Sequence, residues 1–427
     1  MPQVRVSAAQ WKTVILASLG GSLEFYDFII YGVFAQYIAA AFFPTTNRLV
    51  SLILVFSVFG VGYLARPAGG IVLSHFGDMY GRRKVFIGSL LVISASTFCI
   101  GLLPGYATWG LLAPLALVAL RLVQGFCLGG ELPGAITYAV EAAPRHAGFA
   151  CSVVFCFANG GVVLATMTNL TLTSLLLPEE MAAWGWRLGF LFGGVAGLLS
   201  FRLQQSLEES PGFPRMKQGA SRRPVSEVLA KFRAPVFTGI AISAVVGCFN
   251  GLLIAHMPAY LSGVLHYNAR SVSFAQNLCL AIESVGLISA GWLGDRLPRR
   301  RILRLGALLL LIGAYPFYRV LAGRGGNLIV LFSLAGIAAA FANGTFASIM
   351  ADLFPTRIRF TGVALSFNIS FTVFSGMAPL VATSLVKATG WPTAPALVMI
   401  ACGAISLVSS FALPRYEGHI LRSSVSE

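Results

Sequence analysis

Charge is what this sequence has least of. Only 11% of its 427 residues are Asp, Glu, Lys or Arg, while 57% are hydrophobic and the mean hydropathy is +0.80. A water-soluble domain is about one quarter charged, so two soluble domains are excluded. Paired cysteines are missing as well. The count of seven is odd, there is no CxxC, and no spacing suits a metal. That excludes a disulfide-stapled secreted fold and leaves cysteines in apolar stretches as small packing residues. No Walker A lysine motif is present, so ATP is not the expected energy source. Five scattered histidines and no nucleophile–base constellation argue against a membrane enzyme. What remains is apolar sequence, enough at roughly 20 residues per crossing for about a dozen membrane helices.

The net charge of +15 would suit nucleic acid if it were not distributed in alternate loops. Arg82, Arg83 and Lys84 form one group, and Arg215 to Arg233 hold a second. Arg296, Arg299, Arg300, Arg301 and Arg304 form a third, followed by Arg357 and Arg359. The intervening loops carry isolated Arg48, Arg187, Arg270, Arg324 and Lys387. This is the positive-inside bias. It predicts a multi-pass protein of the cell's inner (plasma) membrane, with the basic loops and both termini cytoplasmic and an even number of spans. The first apolar run carries Glu24 and Asp27 and lacks a cleavage site, so no cleavable signal is expected.

Apolar runs predict spans at 13–39, 50–73, 85–103, 110–141, 147–177, 185–205, 236–262, 271–293, 303–322, 327–351, 360–386 and 391–413. The one long hydrophilic break, 206–234, divides the chain. An N-terminal six-helix half (1–205) and a C-terminal six-helix half (235–413) follow from it, with a cytoplasmic tail at 414–427. The halves repeat. GDMYGRRK at 77–84 matches GDRLPRRR at 294–301, and EAAPR at 141–145 matches DLFPTR at 352–357, at offsets of 217 and 211. Two ordered matches at nearly equal offsets argue for duplication. Parallel six-helix repeats around a midplane cavity are the plan of an alternating-access carrier.

The segments G-S-L-E-F-Y-D-F at 21–28, R-P at 66–67, G-D-M-Y-G-R-R-K at 77–84 and R-L-V-Q-G-F-C-L-G-G-E at 121–131 resemble the major facilitator superfamily. More narrowly they resemble its metabolite:proton symporter branch of citrate, α-ketoglutarate, shikimate and proline/betaine carriers. G-W-R at 185–187, E-S-P at 209–211, M-P-A-Y-L at 257–261 and F-P-T-R-I-R at 354–359 extend the likeness over nearly the whole chain. P-G-Y-A-T at 104–108 looks like citrate carriers, while L-H-Y at 265–267 and F-N-I-S at 367–370 look like proline/betaine carriers. The resemblance implies the major facilitator fold: an all-α integral membrane protein of 12 transmembrane helices in two halves.

Ionisable groups inside spans are costly and point to substrate or proton pathways. Glu24, Asp27 and Tyr31 fall on one face of the first helix, where two neighbouring acids would repel and one could hold a proton. Arg121, Gln124, Leu128 and Glu131 form a stripe on the fourth. Arg121 and Glu131 are about 15 Å apart along the axis, too far to pair. Arg121 therefore needs Asp27, Glu24 or a substrate carboxylate, which a guanidinium suits. The resemblance associates the R-x-x-Q-G arginine with proton coupling. Glu283, on one face with Gln276, is the only acid in the apolar body of the second half and the candidate for selectivity. Asn159, Thr166 and Thr173, with Asn368, Thr372 and Ser375, form stripes that could line a cavity or join helices; Asn250 and Asn343 are similar. His256 reads as an interfacial helix-end residue. Each acid also has a plain structural reading as a bond to a neighbouring helix.

Asp78, Arg82 and Arg83 suggest a gate at the cytoplasmic side. There an aspartate can accept hydrogen bonds at a helix N-terminus while the arginines pair with acids. In the resembled family this loop clamps the halves in the outward-facing state. Here Ser74 and Met79 depart from its pattern, whereas the second copy, with Asp295 and Arg296, keeps closer to it. Glu141 and Asp352 are expected in the same networks, and Arg299 to Arg301 read as charges that set topology.

Together these readings predict a carrier that imports a small polar organic solute with protons by alternating access, functional as a monomer. It would use the proton gradient and no cofactor or metal, with lipid but no nucleic acid as partner. The mid-span acids Glu24, Asp27, Glu131 and Glu283 outnumber Arg121, which favours a zwitterion or monocarboxylate over a tricarboxylate; a zwitterionic osmolyte or amino acid and a metabolic carboxylate of the citrate or dicarboxylate type both stay open. A uniporter, exchanger or exporter of the same fold, or a solute sensor that does not transport, remains as an alternative.

Overall fold

The computed structural model describes the backbone of residues 8–80, 82–204 and 224–413. Side chains are described from Ser18 onward within these, except at 19, 20, 24, 74–80, 82–87, 200, 203, 204, 224 and 357. Among the described residues the helices group into twelve rods. We label them α1 (Ala8–Val33 with Ala35–Phe42), α2 (Arg48–Tyr80), α3 (Arg82–Leu102), α4 (Leu112–Cys127 with Glu131–Ala142), α5 (Ala147–Leu175) and α6 (Trp186–Gln204). The second half contains α7 (Arg233 to Gly263), α8 (Ala269–Gly294), α9 (Arg299–Gly323), α10 (Leu328–Asn343 with Phe346–Asp352), α11 (Thr356 to Thr389) and α12 (Pro395–Ser409). Among the described residues ten helices are long and apolar enough to cross a membrane. The pair in α1, bent by 61° after Val33, makes an eleventh, and the apolar stretch Gly88–Leu102 of α3 lies in the twelfth rod. The predicted linker, 206–234, is described only from Pro224, where a short helix Pro224–Lys231 leads into α7. The predicted tail, 414–427, lies outside the described residues.

The packing repeats as the sequence does. In the first half α1 packs on α5, α2 on α4 and α3 on α6; in the second α7 packs on α11, α8 on α10 and α9 on α12. Each pair is its counterpart displaced by six helices, as duplication requires. The peripheral helices turn apolar side chains outward, with Phe192, Leu199, Ile312 and Val408 exposed. Such a belt suits hydrocarbon rather than water. Between the halves, α5 lies along α8, α2 along α11 and α1 against α7.

Close approach depends on small residues. A Cβ on Gly125 would collide with the Gly62 carbonyl, and one on Gly69 with that of Phe126. The predicted fourth span is interrupted at Leu128–Gly130, where the helix stops and restarts at Glu131. The predicted seventh and eleventh spans likewise contain π-helical turns, Asn250–His256 and Thr372–Gly376. Such turns release backbone carbonyls from the helical ladder and recur at functional sites. Gln276 takes up two of those carbonyls, donating to Leu253 (2.9 Å) and Ile254 (2.8 Å).

Candidate functional site: the seam between the halves

Arg121 is fully buried at mid-helix in α4, and aromatic rings surround it. Its guanidinium carbon lies 4.0 Å from the Phe28 ring centre, 4.4 Å from Tyr31 and 5.5 Å from Phe59. The ring faces offset part of the cost of burying the cation. Nη1 donates to Gln124 Oε1 at 2.9 Å, while Nε and Nη2 have no hydrogen-bond partner among the described residues. Gln124 in turn donates to the Thr97 hydroxyl at 2.7 Å, which donates to the Ile93 carbonyl at 3.0 Å.

Asp27 stands on the other side of Thr97. It is 1% exposed, and neither carboxyl oxygen has a hydrogen-bond partner among the described residues. Thr97 has already committed its single proton to Ile93. Space for the carboxyl comes from α6, where a Cβ on Gly193 would lie 2.8 Å from Asp27 Oδ1. Gly193 thus holds room for the Asp27 carboxyl as well as for the Tyr26 ring beside it. The expected Asp27–Arg121 ion pair is not formed in this state. Gln124 and Thr97 stand between the two, because Asp27 turns toward α3 and α6 while Tyr31, four residues on, turns toward Arg121. Tyr31 donates its hydroxyl to the Val55 carbonyl at 3.2 Å.

A second group of polar residues lines a small cavity of about 20 Å³ between the halves, little more than the space of one water. From the first half come Phe25 of α1 and Phe155 and Asn159 of α5; from the second, Asn250, Glu283, Asn343 and Phe371. Glu283 is 2% exposed. Its Oε1 accepts from the Asn343 amide, while Oε2 has no hydrogen-bond partner among the described residues. Asn159 reaches across the seam to Ser284 Oγ at 2.9 Å.

The seam is closed at both ends, so the site is occluded. At the basic end Asp295 accepts from the backbone amides of Gly148 (2.8 Å) and Phe149 (2.9 Å), capping the N-terminus of α5 from the opposite half. Arg299 holds that aspartate at 3.0 Å and Asp352 at 2.9 Å, and Arg359 pairs with Glu141 at 3.2 Å across the halves. At the other end Gly32 meets Ala255, and His256 packs its ring 5.3 Å from Phe56. His256 is therefore buried within this closure rather than at a wetted helix end, because its ring is held between Phe56 and Tyr260 and bonded to Thr383 at 3.0 Å. Replacing Asp295 by Ala removes both caps, and losing a pair of hydrogen bonds to a charged group costs about 3 kcal/mol or more. The expected outcome is a shift toward opening at the basic end. It is measured by the labelling rate of a cysteine placed in the seam; unchanged labelling would remove Asp295 from the gate.

Several expected site residues do other work in this state. Asn368 does not line the cavity: it donates to the Gly129 carbonyl at 2.7 Å, bridging α11 to the break in α4. Thr372 and Ser375 bind Tyr63 of α2, and Thr166 binds Asn277 of α8. Glu131 opens the second segment of α4, away from the Arg121 cluster. Arg296 lies over the Trp292 ring at 3.4 Å, and it is Arg299 that pairs with the acids. Arg299 is thus a gate residue rather than only a topology-setting charge; its spacing of four from Asp295 was the available signal. The side chains of Glu24, Asp78, Arg82 and Arg83 lie outside the described residues.

The largest omission is Arg66, in the R-P pair. It is a second fully buried cation, 5.9 Å from the Phe28 ring centre, 5.1 Å from Tyr63 and 5.7 Å from Phe367 of the other half. An arginine within an apolar span was itself the signal. It corrects the charge count, because a second arginine lies beside Arg121 around the Phe28 ring.

Two repeated six-helix halves joined over a central polar cavity are the plan of a membrane transport protein. The comparisons agree. The sequence profile of the Major Facilitator Superfamily matches residues 17–366 and again 280–425, and the chain belongs to that family. It is 32% identical over 420 residues to a citrate-proton symporter of Klebsiella pneumoniae, covering 97% of this chain and 94% of that one. It is 31% identical over 431 residues to a proline/betaine transporter of Salmonella typhimurium, covering 97% and 85%. Among solved structures it resembles a D-xylose-proton symporter, with a TM-score of 0.73 at 17% identity, covering 96% and 98%. That last likeness concerns the fold alone.

Proposed function

We propose that the protein is an inner-membrane, proton-coupled symporter that imports a small zwitterionic solute such as an amino acid or betaine. The observation that carries this reading is the placement of unlike charges along α1. Phe25 lines the cavity with Glu283, and Phe28, one helical turn on, covers Arg121. A solute with its cation at Glu283 Oε2 and its carboxylate at Arg121 would answer both groups that lack a full set of partners. Phe25, Phe155 and Phe371 offer ring faces to the cationic end. Asp27 is the proposed proton carrier. In this reading the buried carboxyl takes its proton before the site closes and gives it up when the basic end opens. The citrate-proton relative supports the coupling, and the proline/betaine relative supports the solute class.

One observation favours a second reading. Arg66 and Arg121 share the Phe28 ring, which puts their guanidinium carbons at most about 10 Å apart, a span that a dicarboxylate could use. Charge movement separates the readings. A zwitterion with one proton carries one positive charge inward, whereas a dicarboxylate dianion carries one negative charge with one proton and none with two. Purified protein in liposomes with a trapped pH dye is offered citrate, α-ketoglutarate, succinate, shikimate, proline or glycine betaine, with and without an interior-negative potassium diffusion potential. We expect lumen acidification with proline or betaine, accelerated by the potential. Acidification only with carboxylates would overturn the zwitterion; labelled solute entering without acidification would overturn symport and leave a facilitator or exchanger. Glu283→Gln keeps the hydrogen-bonding shape and removes the charge. It should weaken zwitterion affinity about 10- to 100-fold, measured as the concentration for half-maximal uptake, and unchanged affinity would leave Glu283 as a helix–helix contact.

A further inference from the structure

A second concavity lies away from the seam's centre, at the end opposite the basic loops. It is an open groove of about 520 Å³ where α5 of one half meets the N-terminal ends of α8 and α10 of the other. Leu170, Phe274, Leu328 and Ile329 give it apolar walls, and Ser174, Ser271, Asn327 and Arg270 form its polar rim. No carboxylate is among these lining residues. Arg270 is exposed, and neither an ion pair nor a hydrogen bond occupies it among the described residues. Two helix N-termini, at Ala269 and Leu328, add partial positive charge to the same rim.

From this arrangement we infer that the groove binds an anionic phospholipid of the outer leaflet, with its phosphate at Arg270 and its acyl chains along α8 and α10. The membrane setting selects the occupant. Below the rim the wall continues into exposed Phe274 and Val285 on α8 and exposed Val330 and Ile337 on α10, a path that acyl chains follow and a free anion does not need. A lone basic side chain at the interface of an otherwise sparsely charged face matches a phosphodiester. The groove also spans both halves, so its occupant would lie across the seam that must open at this end.

The test reconstitutes wild type, Arg270→Gln and the control Arg319→Gln, which removes another exposed charge of the same half outside the groove, in vesicles of phosphatidylcholine and phosphatidylglycerol. After mild extraction, co-purifying lipid is counted by native mass spectrometry, and thermal melting confirms that each variant is folded. Wild type and Arg319→Gln should retain phosphatidylglycerol enriched about fivefold or more over the vesicle composition, and Arg270→Gln should fall to that composition. Equal enrichment in Arg270→Gln, or equal retention of phosphatidylcholine by wild type, overturns the site. Displacement of the lipid by millimolar inorganic phosphate overturns the lipid assignment in favour of a small-anion site.

Discussion

Asp27→Asn should abolish accumulation while leaving exchange intact. Asparagine has the shape of the protonated acid, so the pocket beside Gly193 and Thr97 still closes and the carrier still rocks with solute bound. What it cannot do is release a proton. Each charge coupled to a potential of 100 mV contributes about 2.3 kcal/mol, an accumulation of about 40-fold at 1.4 kcal/mol per decade. In the variant that ratio should fall to one, whereas counterflow of labelled against unlabelled solute continues near the wild-type rate. The two assays in the same liposomes separate coupling from binding. Asp27→Asn that still concentrates solute removes Asp27 as the proton carrier. Loss of counterflow together with accumulation would mean that the residue serves packing instead.

The architecture was legible because the bilayer imposes one period and one length on each span. The duplicated loop motifs anticipated a packing plan that recurs after six helices. Glu283 could be singled out for the same reason, since an acid within an apolar span is costly, and the fold buries it at the seam beside Asn343. Direction was harder to read. A helical stripe puts Asp27 and Tyr31 on one broad face, yet the two side chains diverge enough that Gln124 and Thr97 separate Asp27 from Arg121. Asn368 sits on a polar stripe that the periodicity aims at a cavity, but the break in α4 leaves the Gly129 carbonyl within its reach. That break carried a signal, the Gly129-Gly130 pair with Pro133 after it, whereas the π-helical turns near Asn250 and Thr372 depend on what the opposing helix supplies. Arg66 was absorbed into a motif and so left out of the charge count, and that omission bore directly on the solute class.

Arg121 is the residue whose loss should cost most in binding. Truncating one partner of a buried, hydrogen-bonded charge pair costs about 3–5 kcal/mol, so Arg121→Ala should lower uptake efficiency by about 100- to 4000-fold. It should lower counterflow too, in contrast to Asp27→Asn. The lysine variant sharpens the argument. Arg121→Lys keeps the charge but loses the planar fork that spans Phe28, Tyr31 and Gln124. If Arg121 is only a counter-charge, lysine restores most of the activity. If it orients a carboxylate and reports its presence through Gln124 and Thr97 to Asp27, lysine restores binding in part and coupling hardly at all. The second result is expected: counterflow recovers to within about tenfold of wild type, while proton uptake per solute falls well below it. Full coupling in Arg121→Lys would break the relay and leave Asp27 to sense the solute by another route.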